Sequence, residues 1–164
     1  MLKKLLCATV LGAGAMNGSL VFAADDARAA IHITANIPNQ QFHVQPRDPE
    51  FGKDEVMQYD PITDRLRNLR HTYDVKNTEG SVHAYIEGGP AWLSSGSAKI
   101  NLNVSFNNKF LHGFPQEVVD DATSTPGTQV EMVIGADRYL DGNPPGLYTG
   151  NFTVIFDAVP RVAL

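Results

Sequence analysis

Cysteine is nearly missing from this chain. One residue, Cys7, serves 164 positions, and its place marks it for removal. Met1-Leu2-Lys3-Lys4 is a short basic start, and an apolar, small-residue run from Leu5 to Val21 follows it. Val21-Phe22-Ala23 then fits the small-x-small rule of a secretory signal peptide cut after Ala23. The cut leaves 164 − 23 = 141 residues without a thiol. That excludes a disulfide framework, a thiolate zinc site and a cysteine nucleophile. It is no lipoprotein signal either, because Lys4-Leu5-Leu6 puts no apolar run before Cys7.

Basic charge is scarce too. Thirteen Lys+Arg face 18 Asp+Glu, a formal charge of −5, and losing Lys3 and Lys4 leaves 11 against 18, or −7. No nucleic-acid partner is expected of such a chain. The apolar run near the start is broken by Asn17, Gly18 and Ser19, and no second one follows, so no spanning helix is predicted. A hydrophobic share of 43% is too high for a disordered chain. Long helical periods and internal repeats are absent. So are a nucleophile elbow, a Gly-rich phosphate loop and a helix-borne His-Glu-His set, and neither enzyme activity nor a cofactor is expected.

What the chain does have is a period of two, the mark of strands. From Ala27 to Ile37 the odd positions are apolar (Ala27, Ala29, Ile31, Ile33, Ala35, Ile37), and Pro38 stops the run. Phe42 to Gln45 is a second stretch, ended by Pro46. Residues 47 to 68 are charged and irregular, with turns at Asp48-Pro49 and Asp60-Pro61; Ile62, Leu66 and Leu69 allow a helical turn. Alternation returns at Leu69-His71-Tyr73-Val75, at Val82-Ala84-Ile86, at Ile100-Leu102-Val104-Phe106 and at Val130-Met132-Ile134. Between them, Asn77 to Gly80 reads as a turn, Gly- and Ser-rich flanks put Trp92 in a loop, and Asn107-Asn108 reads as a hairpin turn before Phe110. Thr123 to Thr128 reads as a loop, and Gly142 to Gly146 as a turn cluster. A last strand carries Tyr148, Gly150, Phe152, Val154 and Phe156 on one face. About seven short strands with turns between them predict an all-β fold, an immunoglobulin-like β-sandwich. One domain is expected, over residues 39–164, preceded by a separate strand segment at 24–38.

The first strand is apolar on one face only, so it must cover a core. Pro38 and Asn39 partly separate it from the rest. It is free to sit in its own sheet or to complete the sheet of a neighbour. Here the chain resembles the major subunits of class 5 (alternate) chaperone–usher fimbriae, the colonisation-factor-antigen type. Ile31 to Pro38, Leu66 to Leu69, Tyr73 to Val82, Ile100 to Asn107 and Pro145 to Ala158 carry the resemblance, in order. Residues 39–65 and 110–128 carry little of it.

The resemblance implies a pilin whose immunoglobulin-like fold is incomplete. A periplasmic chaperone first lends it a strand, and at an outer-membrane usher the N-terminal strand of another subunit replaces that one. On this sequence the donor strand is about Ala27 to Ile37, with Ala29, Ile31, Ile33, Ala35 and Ile37 as its inserted side chains. The last strand, with Phe152, Val154 and Phe156, is one wall of the receiving groove; the other is an early strand that the residues do not place. The implied partners are identical subunits in an open head-to-tail filament, the chaperone, the usher, a tip adhesin and a host glycan. The implied location is a cell-surface fimbria reached through the periplasm, and the role is adhesion. Two alternatives stay open: a free secreted carbohydrate-binding β-sandwich, and a minor or initiator subunit.

Other residues carry weaker signals. Trp92, Tyr85 and Tyr139 are candidates for stacking on sugars, Trp92 first. Arg65, Arg67 and Arg70 form a small basic group in an acidic chain, read as solvated or ion-paired, with an anionic glycan or the next subunit as the sharper options. The five histidines (His32, His43, His71, His83, His112) lack zinc-motif spacing, and Asp137, Asp141 and Asn143 do not match a calcium loop, so no metal is expected. Asn103-Val104-Ser105 and Asn151-Phe152-Thr153 match the glycosylation pattern by chance within strands.

Overall fold

The computed structural model describes residues 41–136 and 144–162, together with Ala35. The signal segment, Ala29, Ile31, Ile33, Ile37, His32, Tyr139 and the Asp137/Asp141/Asn143 group lie outside the described residues. Ala35 is exposed and outside any regular element. The chain divides between Ala35 and Asn36, and the sheets all belong to the second unit. No described helix is long and apolar enough to cross a membrane.

Two antiparallel sheets enclose one core. The larger joins β1 (Phe42–Pro46), β4 (Leu69–Asn77), β10 (Thr128–Ala136), β7 (Ala98–Phe106) and β6 (Trp92–Ser95) in that order, with β8 (Lys109–Phe110) folded back on β7. The smaller has the order β11 (Val154–Pro160), β5 (Gly80–Ile86), β9 (Gln116–Val119). A separate hairpin pairs β2 (Tyr59–Asp60) with β3 (Arg65–Leu66).

The alternation read from the sequence sets the core directly. Val130 lies opposite Tyr73, Met132 opposite Phe106 and Ile134 opposite Val104, so the apolar rows of three strands stack side by side. Val82, Ala84 and Ile86 of β5 oppose them from the second sheet, and all six of these cross-strand partners and all three β5 residues are buried. Phe106 is fully buried, with ring centroids 5.3 Å from Tyr73 and 4.9 Å from Phe156. Burial pushes the Tyr73 hydroxyl up to about 12. The expected turns form as well. Asn107 and Asn108 take φ of +50° and +62°, the left-handed pair that a tight hairpin needs. The Asn77 amide donates to the Ser81 carbonyl at 2.7 Å and closes the β4–β5 turn.

Four expectations need correction. Residues 62–69 do not form a helical turn. The Asp60 carboxylate accepts the amides of Ile62 (3.0 Å) and Thr63 (3.4 Å), which bends the chain into the β2–β3 hairpin instead. Trp92 is not in a loop but opens β6, paired with Asn101 of β7. Residues 121–124 form a one-turn helix, α1 (Asp121–Ser124), capped by Asp120, whose carboxylate accepts the Thr123 amide at 2.8 Å. The last strand starts at Val154, not Tyr148. Thr149 exchanges backbone bonds with Ser94 of β6 (2.8 and 3.0 Å), so the chain leaves one sheet before joining the other. Gly150 suits that approach, since a side chain there would collide with the Trp92 carbonyl. β9 was not expected at all. Val118 and Val119 are both buried although adjacent, because the β5–β9 register shifts between Val82 and His83, and the bulge erases the period.

The far end of β11 is clamped. Arg161 donates through Nε and a terminal nitrogen to both Asp121 oxygens, at 3.0 and 2.8 Å. It also reaches the Thr78 carbonyl at 3.1 Å, and its amide donates to Glu79 at 2.7 Å. Ser124, fully buried, donates to the Gly80 carbonyl at 2.5 Å and fixes α1 beneath the clamp.

Two predictions follow from this packing. Phe106→Ala should cost about 3–5 kcal/mol of stability, read as a lower urea midpoint, because its site is closed on both sides. The second concerns acid. The Arg161 hydrogen bond holds the Asp121 carboxyl below its ordinary 3.8. The Thr123 amide does the same for Asp120, and the Ile62 amide for Asp60. A carboxyl held lower in the folded state lends its full stabilisation above the unfolded value, and loses it as pH falls through the folded one. Tm should therefore stay flat above about pH 5 and drop below about pH 4. Arg161→Gln should shrink that drop; an unchanged acid slope would show that Asp121 is not among the groups responsible.

Candidate subunit-docking groove

Burial falls away on one side of the sandwich. Within β5 the inward residues Val82, Ala84 and Ile86 are 0%, 0% and 2% exposed. Their partners across β11 are Ala158, Phe156 and Val154. Directly opposed residues of an antiparallel pair share a face, so these three also point at the core. Yet Val154 and Phe156 are only half-buried, and Ala158 is exposed. The larger sheet repeats the pattern at β1. Tyr73, Val75 and Asn77 of β4 are buried, while their partners Pro46, Val44 and Phe42 are half-buried.

Each sheet thus ends in a strand whose core face is incompletely covered. Among the described residues β11 pairs only with β5 along its length, and β1 only with β4. The two edges lie on the same side of the core. The Phe156 ring stands 6.0 Å from Tyr73, the residue on β4 that faces Pro46 of β1. Phe42, Val44, Val154 and Phe156 pack against one common cluster. The arrangement offers an apolar floor between two strand edges. Chemically it suits one kind of guest: an extended segment with an apolar side chain at every second residue, able to pair backbone groups along an edge.

Of the expected groove residues, Val154 and Phe156 stand on β11 with their side chains at this floor. Phe152 precedes the strand, half-buried against the core. Sequence reasoning missed β1 as the second edge. The stretch was legible, but nothing in Phe42-His43-Val44-Gln45 says that it ends a sheet. It also missed Ala158, past the end of the expected strand.

The other candidates are brought to different places. Trp92 is 44% exposed on the outer face of β6, and the Lys99 ammonium sits 4.8 Å above its ring. That cation lies over one face of the ring. His71 stacks on Phe51 at 3.8 Å and approaches Glu55 at 3.6 Å. No group of three metal-binding side chains occurs among the described residues. Asp120 and Asp121 serve as a helix cap and as the Arg161 clamp. Both are held ionised by hydrogen bonds, Asp120 to the Thr123 amide and Asp121 to Arg161, which does not suit a general acid. Arg67 and Arg70 pair with Asp60 (3.7 Å) and Glu131 (2.7 Å).

Known proteins give this geometry a context. A solved structure described as the CooA pilin subunit from enterotoxigenic Escherichia coli superposes with a TM-score of 0.56, covering 74% of this chain and 90% of that one. At 16% identity it speaks for the fold: the β-sandwich is one that a pilin uses. No curated protein matches significantly. The family model for the CS1 type fimbrial major subunit matches residues 27–157, from most of the segment before β1 into the last strand. The chain belongs to the CS1 type fimbrial major subunit family.

Proposed function

We propose that this fimbrial major subunit polymerises by donor-strand exchange, with the floor between β1 and β11 as the acceptor and residues 27–37 of another copy as the guest. The observation that carries the reading is the drop in burial at the inward positions of both edge strands. The first strand supplies the matching pattern. Ile31, Ile33, Ala35 and Ile37 recur every second residue, with Ala29 nearer the free end. Three isoleucines alone would contribute roughly 1.5–3 kcal/mol each, about 5–9 kcal/mol in total, before any main-chain bonds.

A contact between the start of one copy and the edges of the next does not close on itself, so it generates an open filament. Such a subunit needs cover before assembly, because exposed apolar floor and strand edges invite wrong pairing. A periplasmic chaperone lending a strand, an outer-membrane usher directing the exchange and a tip adhesin at the far end complete the route, entered through the signal segment at residues 1–23. The role is structural rather than catalytic. A free carbohydrate-binding monomer is less well supported, since the chain belongs to a family of fimbrial major subunits.

Ile33→Asp tests the assignment. A charge in the centre of the donor strand should leave chaperone-bound subunit in the periplasm while surface polymer and its heat resistance collapse. Unchanged polymer yield and heat resistance would reject residues 27–37 as the donor.

A further inference from the structure

The strand ladder gives the subunit two ends. β4 begins at Leu69, just after the β2–β3 hairpin, and finishes at Asn77, where the chain turns into β5. Phe42, the start of β1, pairs with Asn77, and Pro160, the end of β11, pairs with Gly80. So the chain enters the sandwich, and Arg161 and Val162 leave it, at the Asn77–Gly80 end. The hairpin lies at the other end, beyond the nine residues of β4, about 27 Å away.

Apolar side chains stand open at both ends. Ile62, at the hairpin tip, is 93% exposed and Val162 is 87% exposed, the two most open large apolar side chains among the described residues. Val56 and Tyr59 are exposed as well, which puts three such side chains within seven residues. The tip is braced. The Asp60 carboxylate accepts the Ile62 amide, the Tyr59 hydroxyl donates to Asp64 at 2.6 Å, and the Arg67 amide donates to the Gln58 carbonyl at 2.8 Å. Single exposed apolar residues are ordinary, but a group of them on a stiff turn is preorganised for a contact.

Chain length decides which surface can reach it. Ile37 of the guest strand and Phe42 are five residues apart, a reach of at most about 18 Å. The guest copy must therefore hold its own Asn77–Gly80 end within that distance of the point where its strand leaves the groove. β11 runs from Val154, opposite Ile86, toward the Gly80 end, and has seven residues against five for β1. A guest antiparallel to this longer edge leaves at the Val154 end, which is the hairpin end. The reverse direction would crowd two Asn77–Gly80 ends together, where the acceptor's own segment also begins.

We infer that the β2–β3 hairpin is a second contact between consecutive copies. Ile62, with Tyr59 and Val56 beside it, packs on the Asn77–Gly80 end of the copy whose strand fills the groove, against Val162 and the β4–β5 turn. The contact stiffens the joint, which a short linker alone would leave free to swing. It rests on the donor-strand reading for the placing of the two copies.

Fibres of the full exported chain with the photo-crosslinker p-benzoylphenylalanine in place of Ile62 test it. Irradiation should join neighbouring subunits into a ladder that survives boiling, with adducts on residues 77–81 or 161–162 of the other copy. The irradiated chaperone-held subunit should give no such ladder. Ile62→Asp should leave the Tm of that subunit unchanged and still allow fibres, but should lower their persistence length in electron micrographs about twofold or more. Fibres that give no ladder, adducts confined to other surfaces, or an unchanged persistence length overturn the inference. Adducts on residues 56–62 of the other copy would make the contact tip to tip and overturn it too. Ile33→Asp probes the donor strand and spares the hairpin, so fibres that survive that change reject the donor strand, and a missing ladder in assembled fibres rejects the hairpin contact.

Discussion

Phe156 holds the two sheets together on the side where both run out of strands. Its ring lies 4.9 Å from Phe106 and 6.0 Å from Tyr73, so the edge strand of the smaller sheet is anchored in the core of the larger. Without that contact β11 would be held mainly by its ladder to β5 and by the Arg161 clamp at its far end. With it, β11 stays in place as an edge while its own core-facing neighbours, Val154 and Ala158, remain partly uncovered. A rigid edge beside an unfinished floor is what a docking strand requires, since a loose edge would collapse onto the apolar residues it should present. The clamp adds a condition on pH. One carboxylate, Asp121, and the Arg161 guanidinium hold the last strand against α1 and the β4–β5 turn, so strong acid loosens the end of the strand before it reaches the aromatic core.

The lack of cysteine gives this arrangement its weight. With Cys7 the single cysteine, the chain can form no disulfide within itself and depends on burial and hydrogen bonding. The buried rows of β4, β5, β7 and β10 supply burial within one subunit, and under the proposed exchange a strand passed between subunits would supply it along the fibre. Toughness of the fibre then becomes a matter of how slowly that strand escapes, a kinetic property more than an equilibrium one. The net negative charge favours solubility of the separate subunit.

The core was legible because its strands obey a strict period of two: Tyr73-Val75, Val82-Ala84-Ile86, Leu102-Val104-Phe106 and Val130-Met132-Ile134 are all buried as their spacing implies. The Asn107-Asn108 turn was legible from turn chemistry. Legibility failed where a local interaction overrode the pattern. A side-chain acceptor at Asp60 made a hairpin where the apolar spacing allowed a helix, and a bulge opposite Val118-Val119 hid a strand. It failed again where the chain changes sheets, between Thr149 and Val154, because alternation continues across the break and does not say which sheet each residue joins. At the proposed floor, the inward positions of Val154 and Phe156 follow from the alternation of the last strand. The β1 wall does not, because being the edge of a sheet is a property of topology, and no residue of Phe42–Pro46 encodes it.

The central claim is that the strand segment before β1 belongs to another molecule. Size-exclusion chromatography of the mature chain, co-produced with its chaperone, with and without residues 24–38, tests it most directly. The account predicts a ladder of oligomers from the intact chain, and a folded, chaperone-bound subunit that no longer polymerises from the shortened one. A stable monomer from the intact chain, together with unfolding on deletion, would place that strand in its own sheet and contradict the account.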